Sequence, residues 1–245
     1  HRTGFVRYHG FMGNIRDILA HRLAELRDRI ASACSRAGRE PQSVTLVGVT
    51  KTVGPEVAQA LVDLGVPDLG ENRPQELWRK AALVTGGQWH AIGHLQRNKV
   101  ERTLPLVSLI HSCDSLRLLE AIDAEAVRQG TTARVLLEVN CSGEDAKQGF
   151  EPAEVPTLAN RLNSMDGIRV EGLMTMAALA SHPEEARPAF RKLATLAREL
   201  KPLVDPRHAL GHLSMGMSND FEVAIEEGAT LIRLGTILVG GLEAA

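Results

Sequence analysis

The stretch VTLVGVT at residues 44–50 is short and almost wholly apolar, and Lys51 and Thr52 follow it directly. Runs of this length that are rich in valine and threonine predict a β-strand. Lysine is seldom buried, so a lysine placed immediately after an apolar strand is unusual. Residues 44–52 therefore predict a strand that carries a chemically distinctive side chain to its carboxyl end.

Strand-length apolar runs alternate with longer amphipathic stretches along the rest of the chain. Strands are predicted at residues 44–50, 68–71, 88–92, 108–113, 134–140, 168–173, 212–215 and 230–234. Helices are predicted at residues 55–64, 74–83, 96–103, 115–129, 152–164, 183–200 and 220–227, with a short one after Gly235. Such alternation indicates a parallel sheet.

Eight strand–helix units in 245 residues are typical of a closed (β/α)8 barrel, which usually takes about 250 residues. We therefore predict an α/β fold, a single TIM barrel. A doubly wound open sheet is the alternative, but no G-x-G-x-x-G sequence follows the first predicted strand. Apolar residues also recur at helical spacing from Ile15 to Ala37, which predicts an additional N-terminal helix.

The first residues lie outside this pattern. Residues 1–11 read HRTGFVRYHGF, whereas Met12 starts the helical periodicity. We expect residues 1–11 to be a disordered, non-native segment and residues 12–245 to form one domain.

Composition restricts the classes of partner. The net charge is −2, from 28 basic and 30 acidic residues, so neither nucleic acid nor an anionic membrane is an expected partner. The sequence has no apolar run long enough to span a membrane. Cys34, Cys113 and Cys141 are far apart and odd in number, which argues against a disulfide framework or a zinc site. We expect a cytoplasmic protein without a metal.

In a barrel of this kind, ligands bind at the carboxyl ends of the strands. Lys51 follows the first strand there. Burial or cationic neighbours lower the pKa of a lysine and make its amine nucleophilic toward carbonyls. The alternative is a lysine that extends into solvent from a strand end.

The last two predicted strands run into small residues that suit a phosphate. Ser214, Met215 and Gly216 follow one strand, and Gly235 and Thr236 follow the other. TIM barrels often bind phosphate with these two loops and a short helix N-terminus. For each hydroxyl, helix capping is the alternative role.

Arg233 lies inside the last strand between two apolar residues, so alternation turns its side chain toward the lumen. An inward arginine needs a partner, and enzymes that use pyridoxal 5′-phosphate (PLP) place an aspartate or arginine at the pyridine nitrogen. A structural ion pair is the alternative. Asn72 follows the second strand, where it suits a ring hydroxyl or a simple turn. His90 lies in the third strand, and its spacing from His94 does not resemble a metal site.

Seven stretches of the chain resemble one family of proteins. They are VGVTKT (47–52), GENRPQE (70–76), WHAIGHLQRNK (89–99), IHSCD (110–114), VNCSGEDAKQG (139–149), VEGLMTM (170–176) and the long run from Leu213 to Gly240. In these stretches the chain resembles the pyridoxal phosphate homeostasis proteins, whose barrel is similar to the N-terminal domain of alanine racemase.

The resemblance implies a role for each residue singled out above. It implies PLP held as a Schiff base on Lys51, with Arg233 at the pyridine nitrogen. Asn72 and His90 would lie near the ring, and the phosphate would lie among Ser214, Met215, Gly216, Gly235 and Thr236. The family implies a monomer that maintains intracellular PLP, a form of vitamin B6, with apo PLP-dependent enzymes as possible recipients and no established catalytic activity.

Two enzymatic alternatives stay open. The first is an amino-acid racemase of low activity, which would need two bases on opposite faces of the substrate. In alanine racemase the second base is a tyrosine of an additional domain, whereas Tyr8 is the single tyrosine here. We therefore expect little racemisation and assign no catalytic residue. The second is a barrel enzyme that binds a phosphorylated sugar through Lys51.

Overall fold

A computed structural model describes residues 5–143, 148–178 and 181–242, with side chains from residue 14 onward. The strands are β1 (Thr45–Val49), β2 (Asp68–Glu71), β3 (Gln88–Ala91), β4 (Val107–Cys113), β5 (Ala133–Glu138), β6 (Ile168–Met174), β7 (His212–Ser214) and β8 (Leu231–Leu234). They pair in sequence order and parallel, and β8 returns to β1 to close the barrel. The predicted (β/α)8 barrel is confirmed.

The helices surround this sheet. They are α1 (Phe5–Arg36), α2 (Pro55–Asp63), α3 (Pro74–Ala81), α4 (Val100–Thr103), α5 (Leu116–Arg128), α6 (Ala159–Asn163), α7 (Arg187–Leu200), α8 (Phe221–Glu226) and α9 (Thr236–Val239). The helices predicted at 96–103 and 152–164 are shorter than expected, because each begins with a 3-10 turn, at Arg97–Lys99 and Val155–Leu158. None of the helices in the described ranges is both long and apolar enough to cross a membrane.

The additional N-terminal helix is present as α1, and it starts earlier than predicted. Residues 5–11, expected to be disordered, form its first turns, while residues 1–4 lie outside the described residues. Arg29 of α1 forms an ion pair with Glu222 and lies over the ring of Phe221. Arg22 donates to the carbonyl of Leu238. These contacts attach α1 to α8 and α9. A domain boundary at residue 12 stays a prediction.

Side-chain alternation divides the interior into two layers. A side chain at Gly48 would meet Leu61 and Leu238 of the surrounding helices, so Val47 points the other way, into the lumen. The main hydrophobic core lies between strands and helices. A separate cluster of five buried apolar residues lies apart from it: Val47, Leu109, Leu136, Met174 and Leu231. The rest of the lumen is polar, and that polar part leads to the mouth of the barrel.

Candidate functional site

A cavity of about 600 Å³ opens at the carboxyl ends of the strands. That volume lies within the range of small-molecule sites, about 300–1,000 Å³. Its lining comes from the ends of β1, β2, β3, β6, β7 and β8 or from the segments that follow them. It brings together five residues singled out from the sequence: Lys51, Asn72, Arg233, Gly235 and Thr236.

Lys51 is exposed at this cavity in the turn that follows β1. The peptide bond between Thr50 and Lys51 is held in place by a buried cluster of side chains. Lys80 of α3 donates from Nζ to the carbonyl of Thr50 (2.6 Å) and to Oε1 of Glu71 (2.5 Å). The Thr50 hydroxyl donates to the same carboxylate oxygen at 2.7 Å. Because that carbonyl belongs to the peptide bond with Lys51, the cluster fixes the backbone from which the Lys51 side chain extends.

The Lys80–Glu71 ion pair is almost completely buried, with each side chain 1% exposed. Glu71 Oε2 is buried with no hydrogen-bond partner among the described residues. A buried ion pair is costly to break, because removal of one partner leaves an uncompensated charge. The sequence offered one signal for this pair: Lys80 is three residues after the buried Leu77 and so shares its helix face.

Arg233 lies at the inner end of the cavity and is buried. Its Nη1 donates to the hydroxyl of Ser214 at 2.5 Å, and its Nη2 donates to the carbonyl of Thr175 at 3.0 Å. Burial lowers the pKa of Arg233 to about 10, while Glu138 and Asp220 act in the opposite direction. The guanidinium has five N–H donors, so two hydrogen bonds leave others able to face a ligand in the cavity.

A chain of hydrogen-bonded side chains runs through the lumen, and Arg233 is its end nearest to the cavity. Ser214 Oγ lies 2.8 Å from His111 Nδ1, and His111 Nε2 lies 2.8 Å from His90 Nδ1. His90 Nε2 lies 3.0 Å from Asp68 Oδ1, at the start of β2. The chain therefore connects five strands, from the amino end of β2 to the floor of the cavity.

One direction of donation gives every group in this chain a partner while both imidazole rings are neutral. Arginine can only donate, so Ser214 accepts from Arg233, and in this direction its single proton goes to His111 Nδ1. Burial lowers the pKa of His111 far below its usual value, with His90 and Arg233 adding to the effect, so its ring is neutral. Its proton is then on Nε2 and is donated to His90, whose own proton on Nε2 is donated to Asp68.

Four residues singled out from the sequence do not line the cavity. Ser214 turns its hydroxyl into the lumen, and His90 lies below it in the same hydrogen-bonded chain. Met215 is fully buried in the main hydrophobic core. Gly216 has a φ of +95°, and a Cβ there would lie 2.6 Å from that of Ala224, so it serves the close approach of the loop to α8. None of these four residues is part of the cavity lining, and their predicted places near the phosphate or the ring stay predictions.

The residues that line this side of the cavity come slightly later in the same loop. They are Met217, Ser218, Asn219 and Asp220. Asp220 Oδ1 accepts from the Met217 amide at 2.6 Å, and Ser218 Oγ accepts from the Ile237 amide at 3.3 Å. The loop after β7 is therefore fixed to itself and to α9. The sequence signal for Ser218 is weak, because a serine shortly before a helix is equally well explained as a helix cap.

A second group of titratable residues lies at the opposite side of the mouth. Glu138, at the end of β5, is buried, and burial raises its pKa to about 7, with a further contribution from the Asp114 carboxylate. Asp114 Oδ2 is 2.9 Å from His94 Nδ1. Glu138 therefore titrates much closer to neutral pH than an ordinary glutamate. The described residues contain no group of three or more His, Cys, Asp or Glu placed to hold a metal ion.

Comparisons with known proteins agree with this architecture. The family model for the alanine racemase N-terminal domain matches residues 22–243. Fold and cavity together thus define a barrel of that class.

Within that class, the similarity to individual proteins is high along nearly the whole chain. The pyridoxal phosphate homeostasis protein of Aquifex aeolicus is 44% identical over 221 residues, which cover 89% of this chain and 96% of the relative. The protein of the same name from Escherichia coli K12 is 34% identical and covers 91% and 96%. The structure of PipY from Synechococcus elongatus with PLP bound has a TM-score of 0.79 and 33% identity, covering 90% and 99%. This chain belongs to the pyridoxal phosphate homeostasis protein family, and the resemblance seen in its sequence is confirmed.

Proposed function

We propose that this protein binds PLP in the 600 Å³ cavity and keeps it available for apo PLP-dependent enzymes. The observation that carries the proposal is the presence of Lys51 and Arg233 in one cavity. A primary amine suits the aldehyde of PLP, and a buried guanidinium suits its pyridine nitrogen. When bound, PLP supplies an electron-accepting ring that is joined to the protein through an amine.

The residues around the cavity fit each part of this ligand. The exposed Lys51 amine suits the aldehyde end, and Asn72 suits the ring hydroxyl as a donor. The hydroxyls of Ser218 and Thr236 line the part of the cavity formed by the last two loops, where barrels of this kind bind phosphate. Gly235 lies between Arg233 and Thr236 in that lining.

Arg233 would narrow the chemistry that a bound ring supports without excluding catalysis, since PLP enzymes also place an arginine at the pyridine nitrogen. An arginine donates and never accepts, so a pyridine nitrogen facing Arg233 stays an acceptor without a proton. Such a ring withdraws electrons less strongly than one whose nitrogen is protonated by a carboxylic acid. The relatives are named homeostasis proteins rather than enzymes, in agreement with this argument. A monomeric state, a cytoplasmic location and transfer to apo-enzymes are parts of the proposal.

The first test is the visible absorbance of the purified protein after addition of PLP, before and after borohydride. We expect a visible band that borohydride removes. Lys51→Ala should lack the band, whereas Lys201→Ala, a control at an exposed lysine of the 3-10 turn after α7, should keep it. A wild-type protein that shows no band with excess PLP would contradict the proposal.

The second test concerns delivery. We expect the loaded protein to reactivate an apo PLP-dependent enzyme faster than the spontaneous release of PLP from the same protein allows. Reactivation at the rate of spontaneous release would refute transfer while leaving binding intact. Chiral analysis of alanine after long incubation with the loaded protein tests the racemase alternative, and we expect no exchange above that given by free PLP.

A further inference from the structure

The loop after β3 separates the first cavity from a second one. Gly93 lines the first cavity, and the residues that follow it, from His94 to Asn98, line the second, which measures about 490 Å³. A side chain at Gly93 would lie 2.4 Å from the carbonyl oxygen of Asn72, so the loop packs against the backbone of the segment after β2. Ser112 of β4 donates to the Gly93 carbonyl at 2.6 Å. The second cavity is therefore separate from the first, and the loop between them is held in place by these contacts.

Two stretches that carry the family resemblance build this second cavity. Residues 94–98 belong to WHAIGHLQRNK, and Asp114 closes IHSCD. The proposed PLP site uses neither Arg97 and Asn98 of the first stretch nor Asp114 of the second. The function proposed above thus leaves these residues without a role.

The second cavity has an excess of positive charge. Arg97 and Arg117 line it and are exposed, and within the described ranges neither side chain has a hydrogen bond or an ion pair. Several surface arginines elsewhere pair with acids: Arg128 binds Glu101 and Glu125, and Arg161 binds Glu120. Guanidinium groups match phosphate and carboxylate geometry through paired N–H donors.

Both carboxylate oxygens of Asp114, the acid that lines this cavity, already have hydrogen-bond partners. Asp114 Oδ2 faces His94 Nδ1 at 2.9 Å, and Asp114 Oδ1 accepts from the Ser115 hydroxyl at 3.1 Å. The other polar lining residues, Gln96 and Asn98, offer amide donors and amide acceptors alike. The two guanidinium groups, which only donate, therefore set the balance in favour of a ligand that is rich in acceptors.

The apolar floor of the second cavity and the amino-terminal end of α5 form the rest of its lining. Leu95 and Leu118 line the cavity and are otherwise buried, so an apolar surface lies beside the charged groups. The 13-residue helix α5 has no acidic residue in its first turn. Its dipole therefore adds positive potential at the same place.

We propose that this second cavity binds a small aromatic phosphate monoester, with the phosphate between Arg97 and Arg117 and the ring over Leu95 and Leu118. Two guanidinium forks match a dianion better than a single carboxylate. The volume, about 490 Å³, suits a small molecule rather than a protein segment. The site does not depend on PLP in the first cavity.

The test uses phenyl phosphate, which has no aldehyde and cannot join Lys51. Its binding is measured by calorimetry with the wild-type protein saturated with PLP and, in a second series, without PLP. R97Q/R117Q should bind at least about tenfold more weakly, whereas the control R16Q/R198Q, which removes two exposed arginines of α1 and α7, should bind like the wild type. Thermal melting verifies that both variants are folded.

Three results would overturn the proposal: no binding at millimolar phenyl phosphate, equal binding by all variants, or equal affinity for benzoate, which lacks the second charge. Inorganic phosphate should bind more weakly than phenyl phosphate if the apolar floor contributes. The visible band of bound PLP is recorded on the same samples. Absence of that band would refute the proposed function. The phenyl phosphate series would still show whether the second cavity binds a phosphate monoester.

Discussion

Replacement of Ser214 by alanine should destabilise the protein far more than the loss of one surface hydroxyl. Ser214 accepts from Arg233 at 2.5 Å and pairs with His111 at 2.8 Å, and both neighbours are buried. The variant leaves a charged donor and a ring acceptor without partners. A buried polar group without a partner costs about 1–3 kcal/mol, so the expected loss is about 2–5 kcal/mol.

That loss is measurable because small domains are stabilised by about 5–15 kcal/mol in total. Urea unfolding at pH 8, followed by circular dichroism, gives the difference in free energy of unfolding. Ser112→Ala is the matched control, because Ser112 is also buried but its hydroxyl donates to one backbone carbonyl, that of Gly93. We expect about 1 kcal/mol for that variant. Ser214→Thr keeps the hydroxyl and should recover most of the stability.

The same chain predicts which ring nitrogens carry protons. His111 and His90 should both be protonated at Nε2 and not at Nδ1, which ¹⁵N chemical shifts of the imidazole nitrogens report directly. Since the pKa of His111 is far below its usual value, its ring should stay neutral at pH 6. The reasoning fails if S214A loses no more stability than S112A, or if His111 is an imidazolium at pH 6.

Three further perturbations follow from buried groups. Lys80→Met leaves Glu71 as an unpaired buried charge and should cost about 3–5 kcal/mol of unfolding free energy. Much of the lost stability should return in the double variant K80M/E71L. A loss below about 1 kcal/mol in K80M alone would count against the ion pair. Glu138 has a pKa raised from 4.5 to about 7, so the folded state binds its proton more tightly and this group's contribution to stability falls as pH rises from 4.5 to 7. The difference in urea stability between Glu138→Gln and the wild type should therefore grow in favour of the variant over that range, toward a limit of about 3 kcal/mol, and a constant difference would contradict it. Gly216→Ala places a Cβ 2.6 Å from that of Ala224 at a φ of +95° and should lower the thermal unfolding temperature, at a cost of about 1–3 kcal/mol; an unchanged midpoint would show that the loop can adapt.

The sequence predicted the fold well because strand and helix periodicities are local signals. The strand predicted at 68–71 has the observed bounds of β2, and the other predicted strands overlap the observed ones closely. β7 is short, yet the apolar and small residues around His212–Ser214 were enough to predict it. The helices that begin with a 3-10 turn were predicted less well, because a turn such as Arg97–Lys99 or Val155–Leu158 has almost the same pattern as an α-helix.

The direction of side chains at strand ends could not be predicted, because it depends on register between strands. Alternation within β8 turned Arg233 inward, as expected. The same rule could not be extended to Ser214, since the pairing of Ser214 with Leu231 is a tertiary property. The burial of Lys80 was not predicted either, because a lysine in an amphipathic helix normally faces solvent.

The charge balance of the lumen explains why the first cavity should select an anionic ligand. Arg233 is buried, yet its hydrogen bonds go to a neutral hydroxyl and a neutral carbonyl, and it makes no direct ion pair with any carboxylate of the described ranges. Glu138 and Asp220 influence it through space, and burial raises the pKa of both acids, to about 7 for Glu138, which makes Glu138 a weaker source of negative charge at neutral pH. Lys51 adds a second cation at the same cavity. A buried cation without a direct counter-ion favours a ligand that supplies one, and a phosphate-bearing ligand with an acceptor nitrogen meets that requirement through both its charge and its ring.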